Sequence, residues 1–198
     1  EAEAAKYGQK PEMVRVKDIS GPDGVPDGMI TDADRHIIGK RVPTWTGSFA
    51  NTFRYGNLDL YVMAYTRQGE QYLSQYHQTF TSYSSQWVNQ ARGDYWTPDN
   101  PSQSYPAPGG TAAAGNFASA VYYKSGDFIR ISNITLGYTL PARLVQKLKV
   151  NNLRLYATAT NPFLFSKFDG YDPEWSSQNI FGGAVSSSSY IFGLNLGF

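Results

Sequence analysis

The side chains that could do chemistry in this chain are two acidic clusters, two histidines and a set of loop aromatics. The first acidic cluster is "DGVPDGMITDAD" (23 to 34). Counting Asp23 as the first position of a calcium loop puts Asp27 fifth, Gly28 at the sharp-turn sixth position and Asp34 twelfth. Several oxygens on a tight loop are what calcium requires. Val25 in the third place has no ligating atom, and Asp34 is shorter than the usual bidentate glutamate. A second frame starts from Asp18 and Ser20 with "GPDGVP" inserted. The competing reading is an acidic, solvated turn, because a motif without its structural context is only a hypothesis. Calcium is the one cofactor the sequence suggests. The second cluster, Asp172 and Glu174 in "GYDPEW", has the residue types of a glycosidase pair. Their closeness in a proline-containing turn works against placement on opposite sides of a glycosidic bond. His36 and His77 fall on separate predicted loops, and no G-x-S-x-G, H-E-x-x-H or phosphate-loop stretch occurs, so an enzyme is not expected. Trp87, Tyr95, Trp96 and Tyr105 lie in a loop region and could stack on sugar rings or peptide side chains. Equally, such aromatics pack a loop against itself or against a partner.

Composition narrows the elements that must carry these residues. Hydrophobic residues make up 41% and charged residues 17%, with 15 Tyr, 11 Phe, 19 Gly and 11 Pro, which favours strands and turns over helical bundles. A net charge of +1 gives no electrostatic case for nucleic acid. Without cysteine there are no disulfides, no thiol catalysis and no cysteine-bound zinc. The opening "EAEAAKYGQKPE" has neither the basic start nor the apolar core of a signal peptide. No run approaches the roughly 18 apolar residues of a membrane helix, a test that barrel strands escape because only alternate residues meet lipid.

Alternation marks the strands. In "TWTGSFANTFRY" (44 to 55), Gly47, Phe49, Asn51, Phe53 and Tyr55 share one face, with Asn51 out of character. Gly56-Asn57 reads as a two-residue hairpin turn, and "LDLYVMAYTR" (58 to 67) alternates Leu58, Leu60, Val62 and Ala64 against Asp59, Tyr61, Met63 and Tyr65. In "DFIRISNITLGYTL" (127 to 140), Ile129 and Ile131 are out of phase with Ile134, Leu136, Tyr138 and Leu140, which predicts a bulge near Ser132 and Asn133. "PARLVQKLKVNN" predicts a short basic connection with a helical turn, and "LRLYATATN" (153 to 161) is the fourth strand. The chain ends on "SSSSYIFGLNLGF", with Tyr190, Phe192, Leu194, Leu196 and Phe198 on one face and small or amide residues on most of the other.

Five strands thus alternate short and long connections. Antiparallel pairing puts the short connections at one end and the long ones at the other, the layout of an outer-membrane barrel. The expected fold is all-β: about five C-terminal strands of a large antiparallel transmembrane β-barrel with long extracellular loops. Residues 1–43, 68–126 and 167–186 are the extracellular loops, 44–67 the hairpin, 127–166 a strand pair and 187–198 the terminal strand. Arg54, Asp59, Tyr61, Arg67, Arg130, Arg154 and Tyr156 then face a wet lumen, while Tyr138, Tyr190 and Phe198 sit at the aromatic rims. Five strands cannot close a barrel, and an open edge in lipid leaves backbone groups unpaired, so further strands are required. A soluble or surface-attached all-β carbohydrate-binding module is the alternative, and a self-assembling short-chain barrel a third.

"YGQKPEMVRVKDIS...DGMITDADRHIIG" (7 to 39), "YWTPDNP" (95 to 101), "FIRISNITLGYTLP" (128 to 141), "LRLYATATNPFLFSKFDGYDPE" (153 to 174) and "FGLNLGF" (192 to 198) resemble, in order and spacing, the C-terminal portion of SusC/RagA-family TonB-linked outer-membrane proteins of Bacteroidetes. The resemblance implies a barrel of about 22 strands with a plugged lumen, importing oligosaccharides or oligopeptides across the outer membrane. It implies a SusD-like surface lipoprotein as cap, energy from TonB through an N-terminal part not present here, and surrounding outer-membrane lipid. It also implies that Tyr190, Phe192, Leu194, Leu196 and Phe198 form the barrel-assembly signal.

Overall fold

The computed structural model describes residues 2–21, 23–81, 92–102, 104–108, 118–147, 150–174 and 186–198. Seven strands occur among them: β1 (Trp45–Tyr55), β2 (Leu58–Gln68), β3 (Gln71–Leu73), β4 (Tyr123–Ser125), β5 (Phe128–Thr139), β6 (Asn152–Ser166) and β7 (Ser189–Gly197). Three short helices accompany them, α1 (Ala2–Lys6), α2 (Gln75–Phe80) and α3 (Ala142–Lys147). None is long and apolar enough to cross a membrane. The chain divides into two compact units. One holds residues 1–41, 71–124 and 176–183, and the other 42–70, 125–175 and 184–198.

The second unit is a five-stranded sheet in the order β1-β2-β5-β6-β7. Every neighbouring pair in it is antiparallel. Its hairpin turns on Gly56, whose φ of +57° suits the first central position of a type II′ turn, which favours glycine. Tyr55 pairs with Leu58, so no residue is spare. Alternation along each strand is carried across the sheet by register: Phe53, Leu60, Leu136, Ala157 and Phe192 form one row, and Asn51, Val62, Ile134, Ala159 and Tyr190 the next. The apolar face expected from each strand separately is therefore continuous over all five.

The bulge lies at Ser132. Ile131 pairs with Ala64 and Asn133 with Met63, leaving Ser132 as the extra residue. On the other side Ile131 pairs with Phe163 and Asn133 with Thr160. Asn161 takes a φ of +49° there, and Pro162, which has no N–H to give a ladder, occupies the irregular spot. This is why β6 continues to Ser166 although Asn161-Pro162 reads as a strand end: the proline sits where pairing is already broken. Past the bulge, Phe163 and Phe165 rejoin the apolar face beside Ile131 and Ile129. After Pro141, α3 forms the short connection to β6 and buries Val145.

The first unit differs from the irregular loops expected over 1–43 and 68–126. It contains a two-stranded sheet, β3 with β4, and α2 is capped by Ser74, whose side chain accepts from the His77 N–H. Tyr72, Ser74, His77, Thr81 and Tyr122 are buried there. Its local core comes from residues some fifty positions apart in sequence, with no alternating run long enough to reveal it.

Candidate functional site

The sheet has an apolar face and a polar one, and the polar face is where charge is organised. Asp59 of β2 and Arg154 of β6 meet across β5: Arg154 Nε donates to Asp59 Oδ1 at 3.0 Å and Nη2 to Oδ2 at 2.5 Å. The strand between them carries Gly137, where a Cβ would overlap both the guanidinium and the carboxylate. The same rule holds one strand over, where the Tyr156 ring covers Gly193. Thr135 and Thr158 hydroxyls bond each other at 2.9 Å in the adjacent row. Arg67 pairs with Glu70 at 2.6 Å. The polar side chains expected on one face do share it, and among them Asp59 and Arg154 bond each other.

Arg130 extends this network to the β6–β7 connection. Its Nη2 donates to both carboxylate oxygens of Asp172, at 2.9 and 2.8 Å, and lies 3.2 Å from Glu174 Oε2. Asp172 and Glu174 are thus held on one cation, an arrangement unlike a carboxylate pair spanning a scissile bond. His77 is buried within α2, with Nδ1 2.7 Å from Oγ of the capping Ser74.

In the acidic loop the carboxylates are turned on the backbone. Asp34 Oδ1 accepts from the N–H groups of Ile19 and Ser20 at 2.8 and 3.1 Å, and Oδ2 from Thr31 at 2.7 Å. The Thr31, Ile19 and Ser20 N–H groups hold the Asp34 carboxyl below its usual range. Asp27 Oδ1 accepts from Met29, and Asp18 Oδ2 from Gly28 at 2.7 Å and from the Tyr7 hydroxyl at 3.1 Å. Asp23 is exposed. The loop therefore closes through backbone hydrogen bonds to Asp18, Asp27 and Asp34. Among the described residues no three acidic, histidine or cysteine side chains converge on one metal position.

The loop from 92 to 105 is built on Asp94. Its Oδ1 accepts from Asn100 Nδ2 at 2.9 Å, and its Oδ2 from the Ser102 and Ser104 hydroxyls at 2.6 and 3.1 Å. The Ser102, Asn100 and Ser104 donors hold the Asp94 carboxyl below its usual range. Tyr95 and Tyr105 are bridged, and the Trp96 N–H donates to the Tyr105 carbonyl at 3.0 Å. Lys124 donates to the Tyr105 hydroxyl at 3.2 Å and lies over its ring at 5.3 Å. A concavity of about 540 Å³ is lined by Arg92, Asp94, Tyr95, Thr97 and Asn100. Of the four loop aromatics, Tyr95 lines it, while Trp96 and Tyr105 form its supporting bridge. Trp87 lies outside the described residues. The polar clasp on Asp94 was missed in the sequence reading; the signal for it is the Asp-x5-Asn-x-Ser-x-Ser spacing in "DYWTPDNPSQS".

The terminal strand presents Tyr190, Phe192, Leu194, Leu196 and Phe198 outward, Phe192 82% exposed and Phe198 89%. Over 152 residues the chain is 30% identical to the TonB-dependent receptor P26 of Formosa agariphila, a match covering 76% of this chain and 15% of that protein. It is 34% identical over 90 residues to the TonB-dependent receptor SusC of Bacteroides thetaiotaomicron. The fold matches a solved structure of the RagAB peptide transporter with a TM-score of 0.69 at 21% identity, covering 94% of this chain and 21% of that one. The chain is a partial SusC/RagA-like sequence. The SusC/RagA-like chain spans less than a fifth of the length of those curated receptors. No family model matches it. None of these relatives is described as an enzyme, in line with the expected lack of catalytic residues.

Proposed function

We propose that this chain is the C-terminal part of the barrel of a TonB-linked outer-membrane importer that takes up oligosaccharides or oligopeptides. The observation that supports it best is the sheet itself: one apolar face continuous over five antiparallel strands, and an opposite face of bonded polar groups. The apolar face meets lipid and the polar face the lumen, because charge is costly on the first and cheap on the second. Both edges, β1 and β7, are open and pair with further strands of the same transporter. The long connections face outside, where a SusD-like lipoprotein caps the barrel, and TonB acts through another part of the polypeptide. The terminal strand, from Tyr190 to Phe198, serves as the signal read during barrel assembly. Tyr95, which lines the 92–105 concavity, is the loop aromatic we propose touches a solute.

The test uses the whole transporter in its own membrane. The protein fractionates with the outer membrane, requires detergent for extraction, and migrates faster on a gel before boiling than after. Deleting it abolishes uptake of either a labelled oligopeptide pool or a labelled oligosaccharide pool, and removing TonB has the same effect. Recovery of the protein as a soluble monomer would instead favour a carbohydrate-binding module.

A further inference from the structure

Arg130 has a place in the fold that wall-building alone does not account for. It pairs with Tyr65 of β2 on one side and Leu164 of β6 on the other, on the polar face. It is 5% exposed and its main partner, Asp172, 3% exposed, in a sheet whose polar side chains are otherwise mostly half-open. Its guanidinium rests over the Phe128 ring at 5.4 Å. The partners come from the connection between β6 and β7, and from both of its stems: Asp172 and Glu174 on the outgoing side, and Ser186, whose Oγ accepts from Nη1 at 3.0 Å, on the returning side.

Topology makes this informative. In the order β1-β2-β5-β6-β7, β5 is a neighbour of β6 but not of β7. A connection standing upright from the sheet would remain above β6 and β7. The described stems of this one lean across β6 onto the polar face of β5, and Asp172 and Pro173 are buried there. The Glu174 N–H also donates to Asp172 Oδ1 at 2.9 Å, which fixes the turn that presents both carboxylates. A guanidinium can serve two stems at once because its donors fan out in a rigid plane, whereas an ammonium offers one compact charge.

We infer that Arg130 is the positioning residue of the β6–β7 loop, pinning both of its stems to the polar inner face so that the stems line the passage instead of standing at the outer surface. The inference rests on the barrel reading for what the polar face encloses. Held this way, the two stems contribute to the wall a solute must pass.

The experiment uses the full transporter in intact cells, with Arg130→Lys, Arg130→Met and Asp172→Asn, the two Arg130 variants also placed in a background where residues 168–187 are replaced by a Gly-Asn turn. Proteinase K cleavage between 167 and 186 reports the loop, and the heat-modifiable band reports the barrel. The wild-type loop is expected to resist cleavage. Arg130→Met is cut about tenfold faster, since cleavage tracks the population of the opened form, with Arg130→Lys between the two and barrel yield unchanged. Should Arg130→Met fail to assemble, recovery of the band in the turn-replaced background still supports the inference. Persistence of the defect in that background would assign Arg130 to the wall and overturn it. Cleavage of Arg130→Met at the wild-type rate, or rapid cleavage of the wild-type loop, also overturns it. A wild-type protein with no heat-modifiable band at all would sink the barrel reading itself, a result separate from any of these.

Discussion

Gly137 has no side chain because two others occupy the space above it. The Arg154 guanidinium and the Asp59 carboxylate meet over that position, about a quarter exposed, so the pair is partly shielded from water and its loss is felt more than that of a surface pair. Arg154→Met is expected to destabilise the assembled barrel by about 1.5–3 kcal/mol, the usual range for hydrogen bonds to charged groups, read as a lower temperature of the heat-modifiable transition. The double variant Asp59→Leu with Arg154→Met should recover part of that loss, because no charge is then left without its partner. A loss in the double variant equal to the sum of the two single losses would show that the two side chains act independently. Asp94 supports a prediction about pH. Its carboxyl is held below the ordinary value of 3.8 by the Ser102, Asn100 and Ser104 donors. Its contribution is therefore complete above the unfolded value and lost as pH falls through the lower folded one. Hydrogen-exchange protection of peptides from 92 to 105 should hold at about pH 6 and fall towards about pH 3. Asp94→Asn should flatten that dependence.

At the scale of the element, the five strands are interchangeable in chemistry but not in face. Leu136 is half-exposed in the middle of the apolar face, in a row with Phe53, Leu60, Ala157 and Phe192. Leu136→Arg is expected to cost about 2–4 kcal/mol at the middle of the bilayer, measured as loss of assembled protein from the outer membrane. Thr158→Lys lies one row away on the polar face and should assemble at close to the wild-type level. Similar outcomes for the two would mean that the face assignment is wrong. Strand boundaries and the bulge were legible from the phase of the isoleucines in 127–140, because a one-residue slip moves every side chain to the other face. The extension of β6 through Pro162 was not legible, since a proline in a strand is tolerated only where the partner strand has already left register.

At the scale of the molecule, the sheet among the described residues ends on two edge strands, β1 and β7, each paired on one side. Backbone groups on β1 and β7 must find partners wherever lipid replaces water. Residues 1–198 expressed alone are therefore expected to yield no heat-modifiable barrel, while the whole transporter does. Removing Phe198 from the whole transporter should lower the amount assembled without altering its synthesis, measured by comparing the outer-membrane band with total protein. Normal assembly without Phe198 would remove the terminal strand's proposed role as signal.

What the sequence determined by itself is whatever alternation, turn chemistry and charge placement can set locally: five strands, a glycine hairpin, a bulge, two faces of opposite character, and the sidedness of short and long connections. These follow from the pleat, which assigns each residue to a face from its neighbours alone. Tertiary structure decided which polar groups meet. Asp59 is 95 residues from Arg154, and Arg130 is 42 from Asp172. Only the register of three strands and the path of a loop bring such pairs within bonding distance. The compact unit of 1–41 and 71–124 was decided in the same way, by contacts between segments too short and too far apart to show a period of their own.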